Sequence, residues 1–361
     1  MYRFEQDIQK ALEEAVFPGA ALLVASKGEI LYRNFFGKSA LLPSPVLLTE
    51  NTLFDIASLT KPLATMTLTL VTCLEKGLSL NASVSRYFKT FGEEDKNKIT
   101  VRHLLKHTSG LPAWKPYFEE ISKTHPELVG KRESRSIYLD KISQEPLVTP
   151  VAYQRLYSDL GFIVLGILLE EIWQKPLDQL FSEEVPELFN LQNTFYLPVG
   201  GTRSDKVFAA TEKSDWRGKI ICGEVHDDNA YTLGGVAGHA GLFSTVDDLH
   251  LFLTGIEKGI RGEHPHFSRD LFDEFLGPKV KTKLGWDTPS LENSHAGHYF
   301  SKNSIGHLGY SGCSFWTDLD QDFHIILLTN RVHPTSQNES IKQFRPKIHD
   351  LIFEELLLTQ T

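Results

Sequence analysis

The stretch Asp55-Ile56-Ala57-Ser58-Leu59-Thr60-Lys61-Pro62 sets a serine and a lysine three residues apart. On a helix that spacing puts both side chains on one face. A serine hydroxyl is a weak nucleophile until a base takes its proton, and a lysine amine does this when its surroundings hold its pKa down. Ser58 near a helix N-terminus would also gain from the helix dipole as negative charge develops. Pro62 is comfortable only in a first turn, so regular helix is expected to begin close to Ser58 and to run to Lys76, before Gly77. Alone, the pattern is weak, and an N-capped helix with an exposed lysine is by far its commoner meaning.

Two further segments add polar groups. Leu156-Tyr157-Ser158-Asp159-Leu160-Gly161 opens an apolar stretch that predicts a helix from Asp159 to Gln174. Ser158 or Asp159 reads as its cap, and Tyr157 as a half-buried ring or as a proton shuttle, if a cation such as Lys61 stabilises its phenolate. Gly306-His307-Leu308-Gly309-Tyr310-Ser311-Gly312 precedes a strand pair. Its glycines would let a substrate lie against an edge strand, and a backbone N–H beside it could complete an oxyanion hole with that of Ser58.

Around these segments the chain alternates strand and helix signals. Phe4, Ile8, Ala11, Leu12 and Ala15 predict an amphipathic first helix, unlike a signal peptide with its basic start and apolar middle. Ala20–Ala25 and Ile30–Phe36 flank a Gly-containing turn, and Ser314–Thr317 and Phe323–Thr329 flank an Asp-rich one, so a hairpin is expected near each end. A last helix is expected from Glu339 to Leu357, kinked or split at Pro346. Another should run from Val246 to Lys258 and stop at Gly259. A sheet built from both chain ends with helices inserted between them is an α+β architecture rather than a βαβ series. Residues 1–55 plus 285–361 are expected to form a sheet lobe and 56–284 a mainly helical lobe of one catalytic unit.

The 361 residues are 41% apolar and 23% charged, ordinary values that exclude collagen-like and disordered chains. With 37 basic and 46 acidic residues and no basic run, no nucleic-acid or anionic-membrane partner is expected. The longest apolar run, Leu160 to Leu169, is half of what a membrane span needs. Cys73, Cys222 and Cys313 form neither a zinc spacing nor a disulfide framework, which fits a cytoplasmic protein, or a periplasmic one if a signal segment was removed. His103 and His107 are four apart on an expected helix, but no third ligand is evident, so no metal and no cofactor are expected. Phosphate-cradle and dinucleotide fingerprints are absent.

Taken together, Ser-x-x-Lys after a strand-rich start, Tyr-Ser-Asp, His-x-Gly before the last strands and Leu104-Leu105-Lys106-His107-Thr108-Ser109-Gly110-Leu111-Pro112 resemble one family. The chain is similar to the penicillin-recognising serine hydrolases: class C beta-lactamases, DD-peptidases and related esterases and amidases. The resemblance implies a beta-lactamase/transpeptidase-like fold, with Ser58 as the acylated nucleophile, Lys61 as its proton-transfer partner and Tyr157 as the tyrosine base. It implies oxyanion N–H groups from Ser58 and Tyr310, and substrate contacts at Asp159, His307 and Gly309. Asp159 stands where the family has an asparagine, and should favour a charged Lys61. His307 stands where many members have lysine, and is a weaker anchor for a β-lactam carboxylate. Both departures favour the esterase and amidase branches.

Gly223-Glu224-Val225-His226-Asp227-Asp228-Asn229-Ala230, with the later Gly234–Gly241 run, resembles a branch that includes N-acetylmuramoyl-L-alanine amidases of cell-wall recycling. His226, Asp228 and Asn229 are then expected substrate contacts, although each also fits a hydrogen-bonded Asx loop. Asp227 and Asp228 are adjacent, and adjacent carboxylates rarely face one site. The glycine run reads as a close backbone crossing. The expected function is hydrolysis of a small-molecule or muropeptide substrate at a muramoyl-peptide amide bond. A carboxylesterase on small acyl esters is the alternative. A non-catalytic binder or sensor fits less well with Ser58, Lys61 and Tyr157 intact.

Overall fold

A computed structural model describes residues 1–358 of the chain. Six strands form the main sheet, in the spatial order Ile305–Leu308, Ser314–Asp318, Phe323–Thr329, Gly19–Ser26, Glu29–Ala40, Val46–Leu47. Every neighbouring pair is antiparallel. The first hairpin closes through Lys27 (φ 53°) and Gly28 (φ 81°), both left-handed, as a two-residue loop matching the strand twist requires. The second strand of the chain's first hairpin and the last strand of its second both flank Gly19–Ser26, so the two chain ends share one sheet, in the α+β arrangement expected.

The centre of that sheet is apolar on both faces because both are covered. Ala21, Leu23 and Ala25, with Phe315, Ile326 and Leu328, pack towards the inserted helices. Ala20, Leu22 and Val24, with Trp316, Ile325 and Leu327, pack under the two terminal helices. Those are Arg3–Glu13, which buries Phe4, Ile8 and Ala11, and Ile341–Ile352, which buries Ile341, Ile348 and Ile352. Arg3 ties them together through Glu354 at 3.0 Å and Glu355 at 3.1 Å. The last helix starts at Ile341 rather than Glu339, and continues through Pro346 without splitting. Burial of its apolar face outweighs the one hydrogen bond that proline removes.

The inserted part is built around Asp159–Trp173, a helix buried over most of its length. Ser158 is its N-cap, accepting from the Gly161 N–H, and Gln174 ends it in the left-handed conformation. A second, smaller sheet holds Phe195–Tyr196, Leu242–Ser244, Thr52–Asp55 and Val207–Phe208 in that order, so Thr52–Asp55 pairs with inserted segments rather than with the main sheet. The Val246 helix runs on to Arg261 and is ended by left-handed Gly262, not by Gly259. Gly259 is a packing residue: the Phe272 ring occupies the place of its missing Cβ. No helix among the described residues is long and apolar enough to cross a membrane.

The Gly234–Gly241 run does make a close backbone crossing. A Cβ on Gly238 would overlap the Phe162 carbonyl oxygen and meet Gly166 N at 2.9 Å, so the loop and the buried helix touch backbone to backbone. Gly238→Ala is therefore expected to destabilise the protein by about 3 kcal/mol or more, because neither backbone can yield. Gly28→Ala, with nothing within 4 Å of its Cβ but a positive φ, should cost only about 1 kcal/mol. Denaturant unfolding of the two variants beside the parent checks the order.

Candidate active site

Strand Thr52–Asp55 delivers the chain into a single 3₁₀ turn, Ala57–Leu59, which carries Ser58. Ala57 is left-handed (φ 47°), an unfavourable conformation for a residue with a Cβ, and surrounding bonds hold it there. Asp55, itself buried, accepts the Ala57 N–H at 2.8 Å on one carboxylate oxygen and the His226 N–H at 2.6 Å on the other. Its backbone carbonyl accepts the Ser311 hydroxyl at 2.7 Å. One residue thus ties the Ser58 turn to both neighbouring loops. After the turn come a wide π-helical segment, Lys61–Met66, and then the α-helix Thr67–Lys76, ended by left-handed Gly77. Regular α-helix therefore begins at Thr67 rather than beside Ser58, since Pro62 has no N–H to give it. The turn nonetheless brings the Lys61 ammonium to 2.9 Å from Ser58 Oγ, to which it donates.

Lys61 is fully buried. Its ammonium donates to the His239 carbonyl at 3.1 Å and lies 2.7 Å from Asp159 Oδ1. Burial pulls its pKa down, but the Asp159 carboxylate, and Tyr157 after it, reverse this and hold it above the usual lysine value. A charged Lys61 is the outcome that Asp159 predicted. The half-buried Tyr157 phenol has both Lys61 and Ser58 as hydrogen-bonding neighbours. Burial pushes it up to about 12; Lys61 opposes this and Asp159 reinforces it. The expected phenolate is thus not favoured at rest, because burial outweighs the help of Lys61, and Asp159 adds to the burial.

The Leu104–Pro112 segment backs this cluster. Helix Val101–Leu105 ends before His107, which is left-handed (φ 56°), so His103 and His107 do not share a helix face. His107 Nδ1 accepts the Ser158 N–H at 3.0 Å and its ring stacks on Tyr157 at 4.5 Å, while the Pro112 carbonyl accepts the Ser158 hydroxyl at 2.7 Å. Burial, then the charges of Arg155 and Lys61, holds the His107 pKa well below its usual value. His107 thus holds the Ser158 N–H and packs against the Tyr157 ring. No group of three or more metal-ligating side chains occurs among the described residues.

On the main-sheet side, His307 is buried and burial lowers it to about 4. Its Nδ1 lies 2.9 Å from the Leu308 carbonyl, and so carries the proton and donates it. That leaves buried Nε2, without a hydrogen-bond partner, as a bare acceptor. A neutral acceptor suits a substrate N–H or O–H, not a carboxylate. A Cβ on Gly309 would meet the Ile56 carbonyl at 2.6 Å, so this glycine lets the edge strand lie against the Ser58 turn. Tyr310 is 57% exposed, its ring stacked on His226 at 5.6 Å and covered by Arg331 at 4.6 Å. Arg331 also donates twice to the Tyr310 carbonyl, at 3.0 and 2.7 Å, which fixes the direction of the peptide beside it.

Two arms of a cleft meet at Ser58. One, about 400 Å3, is lined by Tyr157, His307, Gly309, Arg331, Lys342 and Arg345; the other, about 440 Å3, by Trp114, Phe118, Glu212, His226, Asp227 and Asp228. Asp159 and Tyr310 border both. Asn229 is not brought to the cleft. It is buried, with its amide oxygen accepting from the Phe118 N–H and the Tyr138 hydroxyl and its nitrogen donating to the Lys115 carbonyl. Asp227 and Asp228, contrary to expectation for adjacent carboxylates, line the same arm. Asp227 caps the short helix Asp228–Thr232 and lies 3.0 Å from His239 Nε2; Asp228 binds Arg217. Trp114, Arg331 and Arg345 sit in locally unremarkable stretches and were not singled out; Asp55 and His107 lie in quoted motifs, but spacing alone did not show that they brace the site.

Fold and family together make this chain a serine hydrolase. The family model described as beta-lactamase matches residues 4–348, and the chain belongs to that family. It is similar to a Bacillus subtilis (strain 168) protein named N-acetylmuramyl-L-alanine amidase, 33% identical over 350 residues, covering 88% of this chain and 78% of that one. It is 28% identical over 395 residues to a putative D-alanyl-D-alanine carboxypeptidase of Salmonella agona (strain SL483), covering 99% and 87%. A solved class C beta lactamase shares the fold at TM-score 0.71 with 17% identity, covering 96% of each chain.

Asp159 raises both Lys61 and Tyr157. Asp159→Asn should therefore lower both, and the alkaline limb of the kcat/KM profile, where Lys61 and Tyr157 lose the protons the step needs, should move down by about one unit or more. A pH–rate profile on an aryl ester checks this; an unmoved limb would show that the carboxylate does not govern the proton relay.

Proposed function

We propose that this hydrolase is an amidase acting on peptidoglycan fragments, cleaving the amide between a muramoyl group and its peptide. The observation that carries the chemistry is the Ser58–Lys61 contact of 2.9 Å beside Tyr157. The substrate class is supported by the Bacillus subtilis relative, which is named an N-acetylmuramyl-L-alanine amidase and is aligned with 88% of this chain. Cys73, Cys222 and Cys313 are all free thiols, in keeping with a reducing compartment where recycled fragments would be met. Residues 1–55 with 285–361, and 56–284, are proposed as the two lobes bordering the cleft.

In this reading Ser58 Oγ attacks the scissile carbonyl carbon. Neither the Ser58 nor the Tyr310 backbone N–H is given to another backbone carbonyl among the described residues, and both are proposed to hold the developing oxyanion. Tyr157 takes the Ser58 proton as it passes its own to the leaving nitrogen, so no free phenolate is required. Charged Lys61 steadies the negative character that crosses Ser58 Oγ and Tyr157 during that exchange. The C–N bond breaks and the peptide amine leaves. Water then adds to the acyl carbon, its proton returning through Tyr157 to Ser58 Oγ. His307 Nε2 accepts a substrate N–H, His226 and Asp228 contact the acyl half, and Asp159 sets the charge of Lys61.

A fluorophosphonate should add one mass equivalent to the parent protein and none to Ser58→Ala, and Ser58→Ala should lose about 10³-fold or more of kcat. The same mass analysis and a substrate panel check the reading. Release of L-alanine from N-acetylmuramoyl-L-alanine supports the amidase. Turnover of aryl esters alone would replace it by the esterase, and inhibition by a chelator with no serine adduct would replace it by a metal hydrolase.

A further inference from the structure

The two arms that meet at Ser58 differ in chemistry. In one, Trp114 is 47% exposed, so one aromatic face is open to the cleft, with Tyr310, its ring stacked on His226 and covered by Arg331, at the rim. Carboxylates stand beside it. Glu212 is held down to about 2: burial raises it, and bonds from His226 and Ser336 more than reverse that, so it is ionised. Asp228 uses one oxygen, Oδ1, for both Arg217 bonds. Aromatic faces are electron-rich and attract the weakly positive C–H face of a saturated ring. Ionised carboxylates accept hydroxyl protons strongly. An open aromatic platform rimmed by ionised acceptors is the chemistry that recognises a sugar ring, and about 440 Å3 lies in the range of small-molecule pockets.

The other arm carries Arg345, buried, with its Nε lacking any hydrogen-bond partner and one NH2 bond to the Gly312 carbonyl at 3.0 Å. Among the described residues no carboxylate forms an ion pair with it. Tyr157 lines this arm and not the aromatic one. Because Tyr157 delivers the proton to the leaving nitrogen, the leaving half must lie on its side, and the acyl half must extend the opposite way.

We propose that the Trp114–Tyr310 arm holds the sugar ring of the acyl half of the substrate, with its hydroxyls on Asp228 and Glu212, while the anionic peptide leaves through the Arg345 arm. The proposal rests on the amidase reading above and adds which end of the substrate goes where. Trp114 is its anchor.

Two measurements test it. Calorimetric titration with free N-acetylmuramic acid needs no turnover. Binding to the parent protein should weaken about tenfold or more in Trp114→Ala and stay within about threefold in Trp114→Phe. In parallel, the ratio of kcat/KM on N-acetylmuramoyl-L-alanine to that on D-lactoyl-L-alanine, which keeps the scissile bond and lacks the sugar, should fall about tenfold in Trp114→Ala. No sugar binding, binding untouched by Trp114→Ala, or an unchanged ratio would overturn the subsite. Trp114-dependent sugar binding without L-alanine release from either substrate would uphold the subsite and refute the amidase reading instead.

Discussion

A buried ammonium is the constraint around which this molecule is arranged. Lys61 is fully enclosed, and an enclosed charge without partners is too costly to keep. Three chain segments far apart in sequence converge to compensate it: Asp159 from the head of the central helix, the His239 carbonyl from the glycine-rich loop, and Ser58 from its own turn. Each convergence needs its own support. The His239 carbonyl reaches Lys61 because Gly238 and Gly166 let loop and helix touch. Asp159 is in place because Ser158 is pinned on both sides, by His107 and Pro112.

The same electrostatics separates this site from one with a neutral amide at position 159. A carboxylate there gives the lysine a counter-ion, which holds its pKa up, and adds to the burial that raises Tyr157 against the pull of Lys61. The chemistry we propose for such a site is exchange: a phenol that takes one proton while giving another. Neutral histidines surround that phenol, His107 on one face and His307 at 6.0 Å, and burial keeps both below their usual pKa. The cluster is thus polar but sparing in net charge, which suits a step in which an oxyanion is the one new charge.

Much of the fold was legible from short-range pattern. Lys27-Gly28 between two apolar runs specifies a tight hairpin, and Ser158 or Thr245 before an apolar run specifies a helix start. The misread ends have tertiary causes. Gly259 reads as a stop but sits inside a helix because Phe272 needs its surface, and Pro346 reads as a break but lies within a helix whose apolar face is buried. The expected helix at Ser58 became a 3₁₀ turn and a π segment, since Asp55 and Pro62 impose a geometry that spacing alone does not reveal.

By itself the sequence determined which residues could do chemistry and in what order the elements come, because caps, turns and Ser-x-x-Lys act over a few residues. Only the tertiary structure decided their partners. Asn229 turned inward to Tyr138 while its neighbours Asp227 and Asp228 turned to the cleft, and Asp55 joined loops separated by 171 and 256 residues. It also decided that Asp159 holds the Lys61 pKa up, that His307 presents a bare acceptor, and that one arm of the cleft carries Trp114 and the other Arg345. Charge state and cavity lining depend on what lies within a few ångströms after folding, and no local pattern carries that information.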